Sequence, residues 1–526
     1  MKINNRKTKL INILALVVLV ISAPLTVSAQ KADFYGLALP GAATLQTLDF
    51  NAVDFKPLPV LHTDQNRAGP TGEALHAHVK ALTDIALQSR ARNPQRWGNF
   101  SGFPEEELVY AYLNNRLADA GVENIVLESF DQAPWSLTTN WSVQLMGANG
   151  ESIELQSAVP MGVGNRSSID AITAPLIYVG RGSAADLAGR DIAGKIAVIR
   201  GETAPHFYDF STSGSMARLA EAGAVGILRL WNTPGNMQVQ LGNCPEISCF
   251  NLGGEDSAFL EAVIAEAAAA GELDKITLAL DISVEREVRQ ALNLVGKIEG
   301  SGASDENIIL LAHTDTWFSG ADDNASGLAV LIGLADYYGA ANHQPLHDIY
   351  FVASPGHHHG AGGSSFFVEN YAQLLDNNII AINLEHVAST GVSVVDGNLM
   401  DGKLDNYGNI ANSFSPTNSD GQWRGVAMSN KTPFLVSAWE RASMMNMYTQ
   451  PASVWERSGR LIPGEAMALD GAGLNVIQNP EVSHWYHSSG STAETVSPES
   501  LERAYLFFSD FLNIVDGASK AEVEAR

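Results

Sequence analysis

The spacing of apolar and polar residues divides the 526-residue chain into regions of different character. From about residue 292 onward, short apolar runs alternate with stretches that have the 3.6-residue spacing of amphipathic helices. This alternation predicts a largely parallel α/β sheet with helices on its faces. The expected strands are residues 308–312, 349–354, 379–384 and 474–478, and the expected helices are residues 326–338, 364–375 and 498–515.

The first half of the chain carries a different pattern. Two helical periodicities, at residues 73–89 and 104–120, are followed by a strand-like run at residues 124–130 and then by short β-rich runs separated by turns. We therefore predict an N-terminal segment at residues 30–140, a β-rich domain at 141–287 and the sheet domain at 288–526.

The extreme N-terminus has the three-part pattern of a secretory signal. Four basic residues precede an apolar run at residues 10–25 and the small residues Val27-Ser28-Ala29. We predict cleavage after residue 29 and a secreted or periplasmic protein, with an uncleaved membrane anchor as the alternative. Later in the sequence, no apolar stretch is long enough to span a membrane, so no integral segment is expected in the mature chain.

Composition narrows the class of protein and of partner. Hydrophobic residues make up 45% and charged residues 17%, as in folded proteins. A net charge of −26 repels phosphate backbones, which excludes nucleic acid as an expected partner.

Cys244 and Cys249 are the two cysteines of the chain. In an oxidising compartment they can form a local disulfide, and two buried thiols are the alternative. The oligomeric state is left open.

Polar residues of metal-binding type follow three of the expected strands. His313 and Asp315 come after the first, His357 to His359 after the second, and Glu385 and His386 after the third. Ligands of open α/β sheets bind at the carboxyl ends of the strands, so these side chains are expected in one crevice. Imidazoles and carboxylates together favour a metal site.

An unusual block, Gly-Ala-Asp-Asp-Asn-Ala-Ser-Gly, occupies residues 320–327 directly before an apolar helix. Asp322, Asp323 and Asn324 can all cap a helix N-terminus. An aspartate at this strand-to-helix turn can also point its carboxylate into the crevice. The two roles are compatible, since one residue can cap while another binds metal.

Together, the His313-x-Asp315 pair, the 320–327 block and Tyr486-His487 resemble the M28 family of zinc aminopeptidases and carboxypeptidases. Residues 194–201 and 222–227 resemble the protease-associated domain. The resemblance implies a three-layer zinc-peptidase sheet (phosphorylase/hydrolase-like) flanked by helices, with an inserted β-rich protease-associated domain. It also implies a hydrolase of peptide or acyl-amide bonds that uses zinc, two ions or one.

The same resemblance implies roles for individual residues. Asp322 would bridge two zinc ions, with His313, Glu385 and His487 as further ligands. Asp315 would orient the site. Glu385 stands where the family usually has aspartate, which offers a carboxylate at similar reach.

One departure from the family pattern concerns its pair of glutamates. Aligning Gly363-Ser364 with the family's Gly-Ser places His357 and His358 at the two glutamate positions. His358 can replace a ligand, because imidazole is a common zinc donor. His357 can serve as general base, with an ordinary pKa near 6.5 that nearby dications would lower.

Three functions therefore remain open from the sequence. The first is metal-dependent amide hydrolysis, the second a catalytically silent relative that acts by binding, and the third altered chemistry on a non-peptide amide or ester. Glu465 is a further candidate for contacting a substrate amine. The roles of His359 and His386 as ligands, orienting groups or solvent-facing residues stay undecided.

Overall fold

A computed structural model of the chain describes residues 33–42, 69–201, 213–233, 235–244, 247–340, 342–395, 413–420, 427–448, 461–478, 483 and 485–525. The predicted signal at residues 1–29 lies outside these ranges. Among the helices in the described ranges, none combines the length and apolar character needed to cross a bilayer.

The described part of the chain contains both strands and helices. The strands are β1 (Asp33–Phe34), β2 (Leu37–Ala38), β3 (Glu123–Met146), β4 (Ser152–Glu154), β5 (Val159–Pro160), β6 (Ile172–Tyr178), β7 (Ile196–Arg200), β8 (Gly226–Leu230), β9 (Ser248–Leu252), β10 (Thr277–Ile298), β11 (Asn307–His313), β12 (Asp348–Ser354), β13 (Asn378–Asn383), β14 (Thr390–Val395), β15 (Ser413–Asp420), β16 (Ala427–Met428) and β17 (Val476–Gln478). The helices are α1 (Gly72–Arg92), α2 (Pro104–Asp119), α3 (Ala184–Leu187), α4 (Ser213–Glu221), α5 (Gly254–Ala269), α6 (Ser326–Gly339), α7 (Gly362–Asn370), α8 (Ala372–Asp376), α9 (Pro433–Asn446), α10 (Ala466–Gly471), α11 (Pro498–Asp516) and α12 (Lys520–Glu524).

The C-terminal half forms a mixed sheet with helices on both faces, which confirms the predicted α/β class. Strands β12, β11, β13 and β17 run parallel, whereas β10 and β16 pair antiparallel with β12 and β17. Every residue of β11 is buried. Ile308, Leu310 and Ala312 belong to the core under α1, α2, α6, α9 and α11, and Ile309 and Leu311 to the core under α7, α8 and α10.

Two very long strands connect this sheet to the region before it. β3 and β10 pair antiparallel over nearly their whole lengths. In β10, Leu278 and Leu280 lie in one hydrophobic core and Leu294 and Ile298 in another. The expected domain boundaries at residues 140/141 and 287/288 fall inside these strands, so the two bodies share them.

Between β3 and β10 lies a β/α module, residues 152–269. Its strands β6, β7, β8 and β9 run parallel, and β5 pairs antiparallel with β9. The module packs around two hydrophobic cores: the core with Phe250 is shared with β3 and β10, and the core with Ile227 lies within the module. Cys244 and Cys249 form a disulfide within it.

Candidate metal centre

The ends of the parallel strands bring the predicted polar residues together. β11 ends at His313, β12 leads through Pro355-Gly356 into the turn of His357–His359, and β13 is followed by Glu385 and His386. Because β11 pairs in parallel with both neighbours, these side chains share one edge of the sheet. The expected crevice is therefore present.

Asp323 occupies the centre of an imidazole cluster. One carboxylate oxygen, Oδ1, lies 2.9 Å from His313 Nε2 and 3.0 Å from His386 Nε2. The other oxygen, Oδ2, lies 3.2 Å from His358 Nε2 and 3.0 Å from His487 Nε2. Each oxygen of a single carboxylate thus faces a separate pair of imidazole nitrogens.

This donor set fits metal ions. His313 Nε2, Asp323 Oδ1 and His386 Nε2 are buried and make no hydrogen bond within the described part of the chain, although they lie about a hydrogen-bond length apart. Buried polar atoms normally have hydrogen-bond partners. Three buried polar atoms that point at one another and lack such partners therefore indicate a position for a cation. Imidazole nitrogen and carboxylate oxygen are ordinary zinc donors, and two imidazole pairs on one carboxylate suit two ions.

Asp322, the aspartate expected at this position, lies outside the cluster. Its carboxylate accepts hydrogen bonds from the hydroxyls of Ser389 and Ser483, the latter at 2.9 Å. Burial raises the pKa of Asp322. For Asp323, burial acts in the same direction, but the imidazoles of His386, His358 and His313 hold its pKa well below the usual range. Of the two adjacent aspartates, Asp323 therefore points into the crevice. Asp322 points towards Ser389 and Ser483 instead.

Asp315 acts on the histidine turn rather than on the centre of the cluster. Its carboxylate accepts from the backbone amides of His357 and His358 at 2.9 and 3.0 Å, and lies 2.9 Å from His358 Nδ1. Its backbone oxygen lies 3.0 Å from His313 Nδ1. Such contacts fix the ring orientation of imidazole ligands, and they support the orienting role expected for Asp315.

His357 lies beside the cluster and between two acidic groups. Its ring stacks on His313 with centroids 4.0 Å apart. His357 Nδ1 contacts Glu465 Oε2, and Nε2 lies 3.7 Å from Glu385 Oε1. Burial would lower the pKa of His357, yet Glu465 and Glu385 raise it well above its ordinary value.

The backbone next to Glu465 is adapted to this contact. Gly464 has φ of +72°, and a Cβ at this position would lie 2.9 Å from His357 Cε1. Glycine is therefore required at residue 464 by its positive φ and by the approach of the imidazole.

Glu385 is held at the side of the cluster. Its Oε2 accepts from Asn383 Nδ2 at 2.6 Å and from Gln478 Nε2 at 3.1 Å. Its Oε1 lies 3.6 Å from His386 Nε2. His386 Nε2 itself lies 3.0 Å from Asp323 Oδ1.

Residues 293–512 match the model of peptidase family M28. The resemblance inferred from the motifs is confirmed over this region. A zinc aminopeptidase from Bacillus subtilis has a TM-score of 0.58 at 16% identity, over 85% of this chain and 95% of that one, which shows a shared fold.

Two relatives of known sequence match shorter stretches. The glutamate carboxypeptidase 2 homolog of Caenorhabditis elegans is 30% identical over 113 residues, which are 20% of this chain and 15% of that protein. Transferrin receptor protein 1 of Gallus gallus is 28% identical over 105 residues, 19% of this chain and 14% of that protein. The matched region thus spans about one seventh of the length of these curated relatives.

Three residues of the M28-like site were not assigned as ligands or bases from the sequence: Asp323, His386 and Glu465. The sequence signal for Asp323 was its place as the second aspartate of the 320–327 block. His386 has a left-handed backbone (φ 50°), so its side chain does not follow the alternating directions of a β-strand. Glu465 comes from a loop after β16 and α9, and its proximity to His357 follows from tertiary packing alone.

A pocket of about 510 Å³ opens beside the cluster. Its walls come from both bodies: aromatic residues Trp135, Trp317 and Tyr486 stand next to the histidines, and the module supplies residues 161–165 and 240–243. Among the described residues that line it, none is Lys, Arg, Asp or Glu. The wall is therefore aromatic and neutral outside the histidines.

Proposed function

We propose that this chain is an exported, metal-dependent exopeptidase-like hydrolase that cleaves peptide or acyl-amide bonds. One observation carries the proposal: the two oxygens of Asp323 each face two imidazole nitrogens. The M28 match and the shared fold with a zinc aminopeptidase support the same conclusion. In this proposal zinc would be held by the carboxylate of Asp323 together with the imidazoles of His313, His386, His358 and His487.

Residues around the cluster would each have a separate role in hydrolysis. Zinc, when bound there, polarises a substrate carbonyl and lowers the pKa of water. Asp315 holds the turn that carries His357 and His358. Glu465 holds Nδ1 of His357, which leaves Nε2 available to accept a proton from the attacking water and to return it to the leaving amine.

We also propose that the β/α module is the protease-associated domain expected from the sequence. Residues 161–165 and 240–243 form one wall of the pocket, so the module restricts which substrates reach the cluster. The neutral lining favours uncharged substrate side chains over acidic or basic ones.

Elemental analysis and a substrate panel test this function together. The protein is purified without a histidine tag, and zinc is measured beside hydrolysis of aminoacyl, peptidyl and acyl-amide or ester substrates. We expect about two zinc ions per chain, and loss of both zinc and activity in His358→Ala. His343→Ala, whose ring stacks on Tyr337 away from the cluster, is the matched control and should retain both.

A second candidate is a catalytically silent metal-binding protein. Glu465 and Glu385 favour the protonated form of His357, and a protonated imidazole cannot accept a proton from water. Two bound zinc ions with no hydrolysis across the panel would support this candidate and contradict the hydrolase.

A further inference from the structure

The loop that carries His487 is paired with a segment of the β/α module. We call residues 237–243 the tether. Gln240 N donates to His487 O at 2.8 Å, and Ser489 N donates to Gln238 O at 2.9 Å. Val239 and Ser488 form an antiparallel bridge between these two bonds. The module thus contributes a short strand that holds the His487 loop.

The tether also contacts the imidazole of His487 itself. His487 Nδ1 lies 3.1 Å from the carbonyl oxygen of Gln240. A carbonyl can only accept, so Nδ1 carries a proton and donates it to Gln240; a zinc ion, when bound, would then take the lone pair of Nε2. That Nε2 is the atom 3.0 Å from Asp323 Oδ2.

Other imidazoles of the cluster are oriented from within the sheet domain. His313 and His358 both direct Nδ1 at Asp315, through its backbone oxygen and its carboxylate respectively. His487 instead takes its orienting contact from the module. Its position as a metal donor therefore depends on a different part of the fold.

Buried hydrogen bonds connect the tether to the strands of the module. Leu241 O accepts from Arg229 Nη2 at 2.8 Å and from Asn251 Nδ2 at 2.9 Å, and Arg229 Nε donates to Asn251 Oδ1 at 2.9 Å. Arg229 lies in β8 and Asn251 in β9, and both are buried. A continuous hydrogen-bonded path thus runs from the module to His487.

We propose that the β/α module is a structural part of the metal centre, because the tether fixes His487 as a zinc donor. This inference rests on the proposed metal centre. Partners that orient a metal-bound histidine typically contribute about 10- to 100-fold to metal affinity. Since coupling between two sites is reciprocal, zinc binding must stabilise the tether by the same factor.

The first test measures zinc affinity by competition with a chromophoric chelator. Gln240→Pro removes the N–H that binds His487 O, and we expect zinc to bind at least about 10-fold more weakly. Gln240→Ala is the matched control, because it removes the side chain and keeps the backbone N–H and carbonyl oxygen through which residue 240 contacts His487. Its zinc affinity should equal that of the wild type.

The second test needs no substitution and covers the case in which Gln240→Pro fails to fold. Amide hydrogen exchange is measured on the wild-type chain with and without saturating zinc. Exchange in the tether should slow by about 10-fold or more. Zinc binding with an unaltered tether, or full zinc affinity in folded Gln240→Pro, would overturn this inference alone. A wild-type chain that binds no zinc would overturn the metal centre as well.

Discussion

Adjacent aspartates in the turn before α6 have opposite environments. Asp323 lies among imidazoles, and Asp322 is hydrogen-bonded to two serine hydroxyls. We expect Asp323→Asn to lose zinc, since an amide is a poor bridge between two cations. Asp322→Asn is the matched control and should keep the zinc content of the wild type. Equal zinc in both variants, measured by elemental analysis, would refute the assignment of Asp323.

The contact between His357 and Glu465 gives a second prediction. Glu465→Gln keeps the shape of the side chain but removes the charge that stabilises a protonated His357. We expect kcat to fall by about 10²-fold, as when general-base catalysis is lost, because the imidazolium that forms when His357 takes a proton from water loses its counter-charge; KM and zinc content should be unchanged. Glu440→Gln, an exposed position on α9, should leave all three quantities unaltered. A rise in KM at constant kcat would instead indicate that Glu465 binds the substrate, for example through an amine.

Glu106, in the first turn of α2, gives a pH-dependent contribution to stability. The residue is 2% exposed, and burial raises its pKa from 4.5 to about 8. Between these pH values the folded chain binds a proton that the unfolded chain releases. The free energy of unfolding must therefore fall as pH rises through this range, by at most about 1.4 kcal/mol per pH unit.

Urea unfolding of Glu106→Gln from pH 5 to pH 9 tests this sign. Relative to the wild type, the variant should gain stability with rising pH and level off above about pH 8. Glu107→Gln, the exposed neighbour, should show no such trend. A difference that is constant with pH would mean that Glu106 is ionised in the folded chain.

Among the secondary structure elements, those with a strong local signal were predicted well from the sequence. β11, β12 and β13 were expected because their apolar runs are buried on both faces, and the observed bounds differ by a residue or two. The helix expected at residues 498–515 is α11, which begins at Pro498. The predicted helix 364–375 is instead two helices separated at Tyr371.

Elements defined by distant partners were not predicted. Residues 124–130 were expected as a short strand, but β3 continues to Met146 because β10 pairs with it from more than 130 positions away. Local periodicity does not report such a partner. The same limit applies to the site. The strand ends indicated His313 and His358, and the family resemblance indicated His487. The choice between Asp322 and Asp323 depends on tertiary contacts to Ser389 and Ser483.

The N-terminus of α11 provides a prediction for this element. Ser497 accepts a hydrogen bond from Ser500 N at 3.1 Å and so caps the helix. We expect Ser497→Ala to lower the free energy of unfolding by about 1 kcal/mol. Ser437→Ala, at an exposed position of α9, should cost less in chemical denaturation. Equal losses in the two variants would contradict a capping role.

For the whole molecule, the shared strands determine how the two bodies unfold. Because β3 and β10 contribute to the cores of both the module and the sheet domain, neither body can lose its core without exposing strands of the other. The tether adds a second connection, directly at the proposed metal centre. We therefore infer that the module and the sheet domain unfold as one cooperative unit.

Paired substitutions in the two cores test this cooperativity. Leu280→Ala, in the core that β10 shares with the module, and Leu310→Ala, in the core of the sheet domain, each leave a cavity. Each should lower the free energy of unfolding by about 2–5 kcal/mol. In both variants, far-UV circular dichroism, tryptophan fluorescence and zinc release should follow one transition that is shifted to lower temperature. The decisive case is Leu280→Ala, whose site lies in the module core. If the module melted first while zinc stayed bound, the bodies would be independent and His487 would not need the tether. Coincident zinc release would show that a defect in the module core reaches the metal ligands.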